Sequence, residues 1–101
     1  MSGINLTTTA AGLPQAWSSR LLGRVGPACV KVLRMDGLTV EEESHGADEA
    51  LIVIDGRLEL EVAGKHVPVR AGEMYTVAAG TVHAVRPGSH GTLVIVELAH
   101  D

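Results

Sequence analysis

From residue 28 onward, short apolar stretches alternate with turn-forming residues. Glycines recur every eight positions, at 56, 64, 72, 80 and 88, and the residues between them do not repeat. Turns about 8–12 residues apart, separated by apolar-rich stretches, are typical of an antiparallel sandwich or barrel. The pattern therefore predicts an all-β fold, with strands over Cys29–Met35, Leu38–Glu43, Leu51–Ile54, Arg57–Val62, His66–Val69, Met74–Val77, Val82–Arg86 and Thr92–Leu98.

The dipeptide Asp55-Gly56 carries the strongest local turn signal in the chain. Two strand-like runs, 51–54 and 57–62, flank it directly. Asp-Gly favours the positive φ angles of a type I′ turn, so these runs are predicted to form a tight hairpin. In the second run, Leu58 and its alternate neighbours face one side and charged residues the other, as in a strand with one solvated face.

The N-terminal region gives weaker signals. Residues 1–16 are predicted to be a polar lead-in to a single domain that spans 1–101. Within this region, Pro14–Trp17 is compatible with one helical turn, and Ser18–Val25 with an additional strand. No stretch combines a long 3.6-residue periodicity with start and stop signals, so no long helix is expected.

Composition excludes several partners. The chain has 101 residues, eight of them Lys or Arg, a net charge of −4 and 2% aromatic residues. It therefore lacks the basic surface and aromatic platforms that bind nucleic acids. The longest aliphatic runs, 51–54 and 93–96, are too short to span a membrane, and residues 1–5 do not resemble the start of a signal peptide. Together with the single Cys29, these features predict a cytoplasmic protein.

Four residues carry metal-ligand chemistry. In an extended strand, Glu43 and His45 share a face. Glu49 begins the most apolar stretch, where an uncompensated carboxylate would be costly, and His83 has apolar neighbours. Imidazole with carboxylates suits zinc, iron, manganese or nickel. The alternatives are a solvated acid for Glu43, a surface histidine for His45, a hydrogen-bonded structural acid for Glu49 and a core histidine for His83.

Two stretches match, in order, the two motifs of the cupin superfamily, so the chain resembles a small single-domain cupin. The first motif runs G, five residues, H-x-H, three or four residues, E, six residues, G. The second runs G, five residues, P-x-G, two residues, H, three residues, N. Residues 37–56 and 72–87 keep these spacings, but Glu43 replaces the first histidine, Ala78 the proline and Pro87 the asparagine. The matching residues are Gly37, His45, Glu49, Gly56, Gly72, Gly80 and His83.

The resemblance implies a small jelly-roll β-barrel (a double-stranded β-helix) holding one divalent transition metal. His45, Glu49 and His83 correspond to cupin metal ligands, and Glu43 occupies the fourth ligand position with a different donor. If Glu43 stays unligated, it is placed to act as a general base. The motif also allows a four-residue gap, which would give the ligand positions to Glu42 and Ser44 but lose the spacing to Gly37.

The resemblance leaves function and assembly open. Cupins include isomerases, dioxygenases, lyases and binding modules. A metal-dependent enzyme acting on a small polar molecule is the first hypothesis; a non-catalytic binding or sensor cupin without metal is the alternative. Small cupins commonly pair, so a homodimer is expected, with Trp17 as a contact. Tyr75 is a second catalytic candidate, and Arg34 or Arg70 could bind a ligand carboxylate. The remaining histidines, His66, His90 and His100, are expected to be solvated.

Overall fold

A computed structural model describes residues 2–38 and 40–99. It contains one short helix followed by eight strands joined in one antiparallel sheet. No helix in the described part of the chain has the length and apolar character needed to cross a membrane. The elements are α1 (Leu6–Ala11), β1 (Arg20–Val25), β2 (Ala28–Asp36), β3 (Val40–Glu43), β4 (Glu49–Val62), β5 (Lys65–Arg70), β6 (Met74–Val77), β7 (His83–Val85) and β8 (His90–Leu98).

The long strand β4 organises the sheet. Along the order β1-β2-β8-β4-β7-β3, it joins the two halves of the fold, and β5 and β6 also pair with it. Its first half pairs with β6 and β8, and its second half pairs with β5 and β7. The two halves of β4 thus belong to two layers that close around a common core. This is the jelly-roll β fold, and the all-β prediction is confirmed.

The predicted hairpin at Asp55-Gly56 is wrong, because β4 runs through it without turning. The Asp55 carboxylate instead accepts hydrogen bonds from Thr92 N, at 3.0 Å, and from Thr92 Oγ1, at 3.1 Å. Gly56 has a φ of +75° and lies against the backbone of His90. The pairing register of β4 with β8 shifts just before it, between Val53 and Asp55. The bulge therefore comes directly before Asp-Gly, and Gly56 lets the backbones of the paired strands β4 and β8 approach closely.

The tight hairpin lies one glycine further along, between β4 and β5. Val62 pairs with Lys65, and the two residues between them, Ala63 and Gly64, have φ angles of +48° and +81°. Positive φ at both central residues is the property of the type I′ turn. The eight-residue glycine spacing located this turn correctly.

The N-terminal region differs from the predicted lead-in, because it contains α1. The Asn5 side chain caps the helix by accepting a hydrogen bond from Thr8 N at 3.0 Å. Ala10 is buried and packs with Val32 and Val94 on the outer face of the sheet. The helical turn suggested at Pro14–Trp17 is a non-helical turn, whereas the alternative of a further strand is confirmed by β1.

Aliphatic side chains fill the barrel, as expected for a chain without Phe. Strand alternation directs one face of β2, β4 and β8 inward. The inner cluster consists of Leu33, Met35, Leu51, Val53, Leu58, Leu60, Val69, Val77 and Leu93.

The predicted strand Leu38–Glu43 is shorter in the structure. Thr39 lies outside the described residues, and β3 begins at Val40.

Candidate metal centre

A cavity of about 220 Å³ occupies one end of the barrel. Its deep walls are aliphatic side chains of the inner cluster, and its other side is polar. This combination of an apolar body and a few converging polar groups is typical of a small-molecule site. The polar lining side chains are Ser19, Glu43, His45, Glu49, His83 and Glu97.

Backbone pairing brings the sequence-predicted residues together. Glu43, the last residue of β3, lies opposite His83, the first residue of β7. His45 follows in the next loop, where its carbonyl oxygen accepts a hydrogen bond from Gly80 N at 2.8 Å. Glu49 begins β4 and pairs with Val77. The two motif regions are therefore held side by side by main-chain hydrogen bonds.

His83 presents a free lone pair to the cavity. Its Nδ1 lies 3.0 Å from the carbonyl oxygen of Thr81, so Nδ1 carries the proton and donates it. The other ring nitrogen, Nε2, is buried and has no hydrogen-bond partner among the described residues. It lies 3.3 Å from Glu49 Oε1 and 3.6 Å from Glu43 Oε1. A buried imidazole held in this tautomer is the usual state of a metal-binding histidine.

Glu43, His45 and His83 offer ligand atoms that all lie within 4.8 Å of one another. Glu43 Oε1 is 3.6 Å from His45 Nε2, the same distance as from His83 Nε2. The Glu43 carboxylate thus turns towards both rings, although its side chain is 47% exposed. Two imidazoles and a carboxylate at this separation fit a divalent transition metal.

Glu49 is the most buried acid of the site, with 7% of the residue exposed. Burial raises the pKa of its carboxyl group, and a hydrogen bond with Glu97 raises it further; the nearby His45 opposes this shift. Among the proposed ligands, Glu49 lies next to His83: its Oε1 is 3.3 Å from His83 Nε2. Folding therefore disfavours the ionised carboxylate of Glu49 relative to the unfolded chain, and a cation bound beside it would offset that cost.

Glu97 is a site residue that the sequence interpretation missed. It pairs with Glu49 across β4 and β8, lines the cavity and binds Lys31 Nζ at 2.7 Å. The alternation of residues 92–98 in the sequence could have identified Glu97. Leu93, Ile95 and Glu97 share one face, and the first two are core-forming residues. An acid at the end of an inward face was therefore a candidate cavity residue.

We predict that Glu49→Gln stabilises the metal-free protein at neutral pH. A pKa raised by folding means that stability falls as pH increases from the ordinary glutamate value through the raised value. Glutamine removes this loss, so the melting temperature of the variant should exceed that of the wild type at pH 8 by more than at pH 4. A constant difference across that range would contradict the prediction. Glu42→Gln, at an exposed position, is the control.

Other predicted candidates lie elsewhere. Tyr75 packs against the aliphatic core and is not among the cavity-lining residues of the described chain. Arg34 donates to the carbonyl oxygen of Leu13 at 3.3 Å, and Arg70 is exposed on β5. Neither arginine lines the cavity.

The alternative motif register places its ligands poorly. Glu42 and Ser44 are both exposed, and neither lines the cavity. The register with Glu43 and His45 is the one that the geometry favours. The remaining histidines that the structure describes, His66 and His90, are exposed as expected, and His100 lies outside the described residues.

Trp17, which the sequence suggested as a dimer contact, lines the cavity. The ring packs on the inner cluster and lines the cavity, and its Nε1 donates to Asp36 Oδ1 at 2.6 Å. The backbone of Trp17 has a φ of +62° and is held by a hydrogen bond from its N–H to the Arg34 carbonyl oxygen at 2.9 Å. The only tryptophan therefore has an intramolecular packing role at the site.

Comparison with known families and structures identifies the fold of this chain. Residues 32–98 match the family model described as a cupin domain. The chain belongs to the cupin family. A search of the curated proteins found no match.

Several solved structures share the fold of this chain along nearly its whole length. A cupin-2 domain protein of Shewanella frigidimarina is 25% identical, with a TM-score of 0.86 over 95% of this chain and 94% of its own. A Neisseria meningitidis protein is 24% identical, with a TM-score of 0.82 over 97% and 100%. A hydroquinone 1,2-dioxygenase in complex with Cd²⁺ and 4-hydroxybenzonitrile is 16% identical, with a TM-score of 0.80 over 95% and 72%.

Proposed function

We propose that this cupin binds one divalent transition metal through Glu43, His45 and His83, with Glu49 as a fourth ligand, and acts on a small polar molecule. The observation that carries the proposal is the buried Nε2 of His83, which faces two carboxylates. An orphaned buried acceptor beside carboxylates is costly unless a cation or proton lies between them. A dioxygenase of the same fold was solved in complex with Cd²⁺, so a protein of this fold can hold a divalent ion.

The residues around the cavity favour chemistry on a small molecule. A bound divalent ion would supply Lewis acidity towards an oxygen of that molecule. Aliphatic walls from Leu58, Leu60 and Leu93 exclude water from the inner side. Glu43 is the most exposed of the four proposed metal ligands. If it leaves the metal, it is the group best placed to exchange a proton with the bound small molecule. The donor set is compatible with zinc, iron, manganese or nickel.

A non-catalytic cupin without metal is the second candidate. It is favoured by the hydrogen bond between Glu49 and Glu97, which already gives the most buried acid of the site a partner. In this alternative, the cavity would bind a small ligand through its polar lining alone. The homodimer and the cytoplasmic location remain predictions from the sequence.

Metal content and metal-dependent stability distinguish the two candidates. Protein stripped with a chelator is dialysed against Zn²⁺, Fe²⁺, Mn²⁺ or Ni²⁺ and examined by elemental analysis. We expect one ion per chain for at least one metal. At about 100 times the dissociation constant, that metal should stabilise the fold by about 2.7 kcal/mol and raise the melting temperature by roughly 11–22 °C. No stoichiometric uptake of any of the four metals would contradict the proposed site and favour the second candidate.

A further inference from the structure

The cavity wall carries a third carboxylate, on a strand that lies beyond both cupin motifs. Glu97 extends from the inward face of β8 beside Ile95, and its side chain is 12% exposed. It lies directly opposite Glu49 in the strand pairing. One side of the cavity is therefore lined by three acids, Glu43, Glu49 and Glu97.

The cationic partner of Glu97 does not line the cavity. Lys31 Nζ binds Glu97 Oε1 at 2.7 Å, but Lys31 itself is outside the lining. Among the lining residues that the structure describes, none is Lys or Arg. Lys31 thus balances the formal charge of Glu97 while leaving the carboxylate, and not the ammonium group, on the cavity wall.

This arrangement bears on the charge of the ligand. In the proposed metal centre, Glu43 and Glu49 would bind the ion as carboxylates. Their two negative charges would offset those of a divalent ion, so an incoming anion would gain little net attraction from the centre. It also meets Glu97, whose oxygens accept hydrogen bonds from hydroxyl or amine groups. We propose that the cavity takes an uncharged or cationic small molecule and excludes anions, and that Glu97 sets this selectivity. The inference rests on the proposed metal site.

The test uses Co²⁺-loaded protein and two small metal-binding probes that differ in charge, azide and imidazole. Their dissociation constants are measured from changes in the visible Co²⁺ spectrum. Glu97→Gln should lower the azide dissociation constant about tenfold, because it removes the negative charge from the wall and leaves Lys31 unbalanced. Lys31→Gln should raise that constant about tenfold. Both variants should leave the imidazole constant within about twofold of the wild type.

Glu41→Gln is the matched control, because it changes the net charge by the same amount at an exposed position outside the cavity lining. It should change neither dissociation constant. The opposite signs expected for the Glu97 and Lys31 variants separate a charge effect from a packing defect. If Glu97→Gln fails to fold, the azide dissociation constant of Lys31→Gln tests the inference by itself.

Two outcomes overturn the inference. One is an azide constant that does not change, or changes in the same direction in both variants, while the proteins hold Co²⁺. The other is a change of imidazole binding equal to that of azide. Cobalt content is measured before the probes are added. If the wild type takes up no Co²⁺, the proposed metal site and this inference fail together, which distinguishes that result from a failure of charge selectivity alone.

Discussion

Replacement of His83 by alanine is expected to lower the affinity for a divalent metal by on the order of 100-fold or more. Loss of an outer-sphere partner of a ligand typically costs 10–100-fold, so loss of a ligand should cost at least the upper end of that range. His83 is the only fully buried imidazole among the described residues, and Thr81 fixes its tautomer. The measurement is metal titration of the chelator-treated protein, followed by elemental analysis.

The matched control for this variant is His90→Ala. His90 is exposed outside the cavity, and its Nδ1 lies 3.0 Å from the Gly88 carbonyl oxygen, a contact of the same kind as that between His83 and Thr81. It should retain wild-type metal binding and the metal-dependent rise in melting temperature. Equal metal uptake by His83→Ala and the wild type would show that the ion binds elsewhere and would remove the basis of the proposed function.

Gly56→Ala is expected to destabilise the fold by about 3 kcal/mol or more and to lower the melting temperature by more than about 10 °C. A Cβ at this position would collide with the carbonyl oxygen of His90 and lie 2.7 Å from its carbonyl carbon. Both atoms belong to the backbone, so no rotamer change relieves the contact. The φ of +75° adds strain for any residue with a Cβ. Thermal and urea denaturation followed by circular dichroism measure the loss.

Gly64→Ala separates the two causes. Gly64 has a similar φ, +81°, but nothing lies within 4 Å of a Cβ built there. This variant should lose only the backbone contribution, about 1 kcal/mol. Equal losses for the two variants would contradict the prediction, because they would show that the contact of the added Cβ with the His90 backbone carries no cost of its own.

The close approach of the paired strands at Gly56 also matters for the site, because it helps to set the register of β4 against β8. In that register Glu49 stands opposite Glu97. A shift of one residue would send each inward side chain of β4 to the opposite face. A partly folded Gly56→Ala protein is therefore also expected to bind metal more weakly than Gly64→Ala, through the displacement of Glu49.

Local patterns in the sequence determined most of the strand positions and the composition of the site. Apolar alternation and the glycine spacing located the strands from β2 onward, because both are consequences of a pleated backbone and its turns. The exception is β4, which was predicted as two strands joined by a turn. The motif spacing selected Glu43, His45, Glu49 and His83, and the structure gathers all four around one cavity. Membership of the cupin family was likewise readable from these spacings and is confirmed.

Tertiary structure decided what local preferences could not. The local preference of Asp55-Gly56 favours a turn. The chain continues straight through it because β4 pairs with β8 on one side of this dipeptide and with β5 on the other. The helix α1 has a Thr-rich sequence of low helix propensity, and it forms because Asn5 caps it and Ala10 is buried against the sheet.

Within the site, the sequence alone determined which residue types were available, and the fold decided which of them meet. Glu97 lies 48 positions after Glu49 in the sequence, yet strand pairing places the two carboxyl groups together and Lys31 beside them. Trp17 belongs to a segment without regular structure, and it reaches the cavity through its contacts with Arg34 and Asp36. Such contacts depend on chain closure over long separations, for which a local residue pattern carries no signal.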